Sequence, residues 1–266
     1  MNDEVAVAGA RRLALGLEYD GTAYNGWQIQ PHAPSIQESL NRAASAVADA
    51  PVECVGAGRT DTGVHATGQV AHFDTFADRS ERSWLLGINS NLPADINAVW
   101  VAAVPNDFHA RFSARSRSYR YMILNRPVRS SLHRHRAWWV RRPLDADRMH
   151  KAAQALLGKH DFSSFRASTC QSHSPVRTVT EIGVSREGDW LSVVCSANAF
   201  LHHMVRNLVG SLVRIGLGEA DIEWMAELLA AKDRKVSGIT APAAGLTLTA
   251  VGYPDFSLPD STTDKL

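Results

Sequence analysis

Cysteine is scarce in this 266-residue chain. Cys54, Cys170 and Cys195 are the only three, and none forms a CxxC pair. A disulfide framework is therefore excluded, and a reducing, cytoplasmic setting is favoured. No apolar run approaches the ~20 residues that span a bilayer, and the first residues carry too little apolar character for a signal peptide, so a membrane is not an expected partner. HExxH is missing, and His65, His72 and Asp74 fit no common zinc spacing. The adjacent pair His202 and His203, read as lying on a helix, would point about 100° apart, poor geometry for a shared ion. Neither metal nor cofactor is expected.

Acid is the next absence. Between Phe108 and Leu144 there is no Asp or Glu, yet ten arginines occur: Arg111, Arg115, Arg117, Arg120, Arg126, Arg129, Arg134, Arg136, Arg141 and Arg142. Net charge is only +1, so without those ten the chain stands at −9. Positive charge confined to one segment is the electrostatic footprint of a polyanion binder, and the planar guanidinium suits phosphate. The plainer reading is a solvated basic face or a set of intramolecular ion pairs.

What is present in excess is glycine within residues 51–74, PVECVGAGRTDTGVHATGQVAHFD. Gly56, Gly58, Gly63 and Gly68 fall here with Arg59 and Asp61. So many glycines in one turn are costly in backbone entropy, so something besides folding is expected to keep them. Asp61 reads either as a turn-former bonding its own backbone or as a chemical group. An aspartate at its ordinary pKa of about 3.9 is ionised at neutral pH, and a neighbouring arginine favours that form, which suits a nucleophile or base rather than a general acid. The triplet Asp61-Thr62-Gly63 spells the signature of aspartic proteases. Their mechanism needs two such carboxylates sharing a proton, whereas this chain has one, preceded by a cation that opposes protonation.

Periodicity predicts a strand at 12–19, a helix opened by Ser35 with Glu38 three residues later in a capping box, and strands near 52–55 and 69–73 around Asp61. A helix at 83–88 and a strand at 98–104 follow. In the arginine-rich segment a strand at 117–124 puts Tyr119, Tyr121 and Ile123 on one face. Further on come a helix over 145–157, strands near 177–184 and 190–196, a helix over 200–215, a short helix at 222–231 and a strand at 245–251. Arg206 lies about 130° from the apolar stripe of the 200–215 helix, off the core. At this length roughly three quarters of the unfolded surface can be buried. The fold class expected is α+β, with a mixed, largely antiparallel sheet flanked by helices. The divisions expected are a flexible tail (1–10), a first half holding the glycine-rich loop (11–107), the arginine-rich segment (108–144), a second half (145–254) and a disordered tail (255–266).

The block GRTDTGVHATGQVAHF closely resembles the signature of the tRNA pseudouridine synthase A family. LEYDGTAYNGWQIQP, SIQESLNRA, NLPADI, DFHARFSARSRSYRYMI, LLGKHDFSSFR, ANAFLHHMVRNLVGSLVRIG, ELLAAKDR and GLTLTAV resemble family segments in family order. The resemblance implies two similar halves in the pseudouridine synthase fold around a central cleft. It implies isomerisation of uridine to pseudouridine at positions 38 to 40 of the tRNA anticodon stem-loop, by a cofactor-free homodimer. It makes Asp61 the catalytic residue, with support from Arg59, a base-stacking Tyr119, Arg206 as partner of the aspartate, and Leu246 near the target base. The basic segment becomes the tRNA clamp, with Arg111, Arg115, Arg117, Arg120, Arg126 and Arg142 as candidate contacts.

Overall fold

A computed structural model describes residues 9–259, which form two units. One comprises the chain up to Arg115 together with the stretch from Leu248 onward, and the other runs from Ser116 to Thr247.

In the first unit, β1 (Arg11–Tyr19) lies between β4 (Ile96–Val104) and β3 (His65–Thr75), antiparallel to both. Periodicity predicted a strand here, and Leu13, Leu15 and Leu17 lie on one buried face of it. Both faces are buried, because Arg12, Ala14 and Gly16 are covered as well. Gly16 lies flat against Trp100, where a Cβ would stand 2.2 Å from the indole nitrogen. The register sets Leu13 opposite Phe73 and Leu15 opposite Ala71. Helix α1 (Ile36–Ala48) begins as expected at Ser35, whose Oγ accepts from the Glu38 N–H, and buries Ile36, Leu40, Ala43 and Ala44. Between α1 and β3 sits the short β2 (Val55–Gly56), paired antiparallel with β3 through Val55–His72 and Gly56–Ala71; of the strand expected near 52–55 only Val55 belongs to it. Helix α2 (Glu81–Asn91) seats Trp84 edge-on to Phe73, with ring centres 5.1 Å apart.

The second unit carries β5 (Ser116–Asn125), β6 (Trp138–Val140), β7 (Gly158–Asp161), β8 (Val176–Glu187) and β9 (Trp190–Ala197) in the order β5-β9-β8-β7. The pairs along that path are antiparallel, and β6 adds to β5 in parallel. Helices α3 (Ala146–Ala153), α4 (Met204–Gly216) and α5 (Trp224–Ala231) complete it. The apolar stripe of α4 is buried as expected, from Met204 through Leu208 and Leu212 to Ile215. Last comes β10 (Leu246–Gly252), which enters the first unit at Leu248 and there lies next to β3. Helices with largely antiparallel strands in both units make this an α+β protein of mixed sheet.

Four expectations need correction. Helix α4 starts at Met204, not 200, because His203 takes a left-handed conformation (φ +61°) that no helix continues through. The short strands β6 and β7 were not foreseen. The arginine-rich segment is no unit of its own, since Phe108 and Ala110 are buried in the first unit's core and Ser116 opens the second. The 255–266 tail is not loose at its start: Phe256 packs edge-on to Phe108 at 5.1 Å and Leu258 against the same core, after Tyr253, whose hydroxyl donates to Ala110 O at 2.6 Å. Residues 1–8 and 260–266 of the two expected tails lie outside the described residues.

Candidate active site

The loop between β2 and β3 is anchored by its own side and main chain. Gln69, wholly buried on β3, donates through Nε2 to Gly58 O at 2.8 Å. The Thr60 hydroxyl turns inward and lies 2.9 Å from the Tyr19 hydroxyl. Trp27 N donates to Thr60 O at 3.0 Å, and Gly63 N to Tyr24 O at 3.3 Å. Three consecutive side chains thus alternate: Arg59 exposed, Thr60 buried, Asp61 half-buried. No hydrogen bond or ion pair reaches Arg59 from the described residues, so it is an unpaired exposed cation and not the partner that the sequence spacing suggested.

Protein packing accounts for most of the glycine. Gly63 holds φ +76°, a left-handed turn that L side chains avoid. A Cβ at Gly56 would stand 2.5 Å from the Trp27 ring, and one at Gly68 would stand 2.1 Å from Thr249 O. Gly58 alone meets nothing within 4 Å. The expectation that these glycines serve something other than folding therefore narrows to one position.

The histidines of this stretch are engaged by protein groups. His65 Nδ1 accepts from Gly21 N at 3.1 Å. His72 Nδ1 accepts from Ala110 N at 3.1 Å, and its ring lies 4.6 Å from that of His109. Asp74 forms a two-pronged ion pair with the buried Arg12 at 2.7 and 2.8 Å.

In the second unit Tyr119 stands half-buried on β5, edge-on to Phe200 with ring centres 5.0 Å apart. Arg206 leaves the first turn of α4 half-buried, as its position off the stripe predicted, and donates through Nε to Ala241 O at 2.8 Å. The next residue, Pro242, accepts from the buried Tyr121 hydroxyl at 2.7 Å. Burial raises the Tyr121 phenol above its ordinary range although the nearby Arg206 charge pulls it down. Arg206 and Tyr121 thus meet the same segment, and sequence reading gave Tyr121 no role. Its one signal was a position two residues from Tyr119 on the same strand face. Leu246 opens β10 and is buried. His202 and His203 lie in the turn before α4, with ring centres 4.0 Å apart.

Half of the six arginines proposed as RNA contacts are held by carboxylates: Arg115 by Asp255 at 3.2 Å, Arg126 by Asp189 at 3.8 Å, and Arg142 by Glu219. Such exposed pairs are worth about 0–1 kcal/mol and are screened by salt, so a phosphate can compete for the guanidinium. Arg117 donates to Asn198 O, Arg111 lies over the Phe112 ring, and Arg120 is exposed with no partner among the described residues. No helix among these residues is long and apolar enough to cross a membrane.

Known proteins match both parts of this arrangement. The family described as tRNA pseudouridine synthase matches residues 17–113 and 152–254. The chain is 53% identical to tRNA pseudouridine synthase A of Hydrogenovibrio crunogenus over 96% of its own length and 97% of that protein's. It is 55% identical to the proteins of the same name from Citrobacter koseri and Escherichia fergusonii, over 93% of its length and 92% of theirs.

Proposed function

Since the chain belongs to the tRNA pseudouridine synthase family and is an isomerase acting on uridine in tRNA, we propose that it works at positions 38 to 40 of the anticodon stem-loop with Asp61 as its catalytic carboxylate. The observation that carries this is the anchored loop. Thr60 and Gln69 fix the backbone on either side of Arg59, so Asp61 is presented half-buried on a rigid turn. A precise carboxylate is what the reaction needs.

In the reaction the C1′–N1 bond of uridine breaks, the base turns, C1′ bonds to C5, C5 loses its proton and N1 gains one. Nothing is oxidised or reduced. An ionised Asp61 serves both routes to the detached base, attack at C1′ or removal of a ribose proton to give a glycal. Either route needs a site that keeps the base in and water out. Arg206 stabilises the carboxylate, and Leu246 packs near the base. Tyr119 stacks on it. Stacking worth about 1–3 kcal/mol is comparable with the few kcal/mol needed to extrude a paired nucleotide. Arg59, Arg111, Arg115, Arg117, Arg120, Arg126 and Arg142 supply phosphate contacts, and affinity falls steeply with salt as counterions are released. Resemblance also carries a cytoplasmic homodimer, which sedimentation of the purified protein tests.

The decisive experiment incubates the protein with an unmodified tRNA transcript, without added metal, and maps pseudouridine by position. Modification confined to 38–40, abolished in Asp61→Asn while tRNA binding persists, is the expected outcome. Turnover retained by Asp61→Asn overturns the role of Asp61, and modification elsewhere overturns the site.

A further inference from the structure

We infer that the segment from Arg234 to Gly245 is a strap that positions the Arg206 guanidinium, and that Asn207, Arg234 and Tyr121 are the positioning residues that hold it. The inference rests on the reading of Arg206 as an active-site residue.

Asn207 follows Arg206 on α4 and is wholly buried. Its amide has partners on both sides: Nδ2 donates to Phe165 O at 2.8 Å, while Oδ1 accepts from Thr240 Oγ1 at 2.6 Å and from Arg234 Nη2 at 3.1 Å. The other terminal N–H groups of Arg234 go to the strap itself, reaching Thr240 Oγ1 at 3.0 Å, Ser237 Oγ at 2.6 Å and Gly238 O at 3.1 Å. Hydrogen bonds in a connected network strengthen one another, and this partly buried one ties both ends of the 234–240 turn to a single helix residue. Backbone meets backbone there as well: a Cβ on Gly210 would stand 1.7 Å from Ile239 O, and Gly238 N donates to Ser211 Oγ at 3.1 Å.

The far end is closed by β5. Tyr121 donates its only proton to Pro242 O, and a Cβ on Gly245 would stand 2.6 Å from the Tyr121 ring. Between the two anchors lies Ala241, bonded to Arg206 in both directions: Ala241 O accepts from Arg206 Nε, and Ala241 N donates to Arg206 O at 3.1 Å. Holding Nε fixes the plane of a guanidinium, because all five of its N–H groups share that plane. The strap therefore sets where Arg206 points, and a misplacement of about 1 Å in such a group can cost on the order of 100-fold in rate.

Tyr121→Phe and Arg234→Gln test this, each made in the wild type and in Arg206→Lys, with kcat, KM for tRNA, tRNA binding and Tm measured. Tyr121→Phe removes one hydroxyl and keeps the ring, so it decides the matter if Arg234→Gln fails to fold. Both are expected to lower kcat roughly 10- to 100-fold with KM and tRNA binding within about twofold. In the Arg206→Lys background the same changes should cost less than about twofold more, since the group they position is already altered. Losses that multiply with Arg206→Lys, or wild-type kcat in folded Tyr121→Phe beside a crippled Arg206→Lys, overturn the strap alone. Wild-type turnover in Arg206→Lys overturns the reading of Arg206, and the strap's purpose with it.

Discussion

The hydroxyls of Tyr19 and Thr60 lie 2.9 Å apart in the protein interior, one residue before Asp61. Burial pushes the Tyr19 phenol up to about 12, against the pull of its bonds to Thr60 and Gln69, so it is protonated at any physiological pH. Thr60→Val keeps the shape and removes the hydroxyl, leaving that phenol only the long 3.5 Å approach of Gln69. A loss of about 1–2 kcal/mol in stability is expected, with turnover reduced and tRNA binding retained. Unchanged melting and turnover would remove the brace from the account.

Acid should loosen the first unit. Burial, reinforced by the charges of His109 and Arg12, lowers His72 to about 3, and burial with Arg12 lowers His109 too. His72 stays neutral in the fold down to about pH 3, while in the unfolded chain it binds a proton below about pH 6.5. That contribution is complete above pH 6.5 and is lost as pH falls toward 3, with a limiting slope of about 1.4 kcal/mol per pH unit; the lowered His109 acts in the same direction. Urea midpoints should drop between pH 7 and 5. His72→Asn, whose Oδ1 can accept from Ala110 N, should flatten the profile. A wild-type midpoint that does not move in this range contradicts the prediction.

Tyr119→Phe preserves the ring set edge-on to Phe200, so folding and tRNA binding should stay close to wild type. The hydroxyl it removes is the group we propose to assist removal of the C5 proton late in the reaction. Single-turnover assays should show the base detached but product formed or released much more slowly, and full activity in this variant would strip the hydroxyl of a chemical role.

The three thiols should separate in alkylation. Burial raises Cys54 beyond the ordinary thiol range and Cys195 to about 12. At Cys170 burial also acts upward, but backbone N–H groups of Ser172 and His202 and the Arg166 guanidinium hold the thiol below its usual value. Brief iodoacetamide treatment of native protein followed by mass spectrometry should label Cys170 first. Equal labelling of all three would refute this microenvironment.

Local signals were read correctly where local chemistry decides. Ser35 caps α1 because its oxygen reaches a backbone N–H three residues on, a span visible in sequence. Arg206 fell off the α4 stripe by angle alone. What stayed hidden depends on distant partners. Arg115 and Arg142 looked available for phosphate because Asp255 and Glu219 lie 140 and 77 residues away. Alternation could not show that β1 is covered on both faces, since that follows from its place between β3 and β4. The start of α4 was misplaced because Phe200 and Leu201 continue the apolar rhythm, while one backbone angle at His203 ends it. Gln69, which holds the loop bearing Asp61, read only as a polar residue in a strand.

The return of the chain to the first unit at Leu248 has a consequence for biosynthesis. The second unit is contiguous and leaves the ribosome whole, but the first must wait for β10 and Tyr253 after the 132 residues from Ser116 to Thr247 have been made. At about 5–20 residues per second this wait is on the order of ten seconds or more. Until then the exposed edge of β3 and the hollow beside Phe108 have nothing to cover them, and the loop bearing Asp61 hangs from an unfinished scaffold. A nascent chain stalled before Leu248 is the state in which chaperone dependence and aggregation should concentrate.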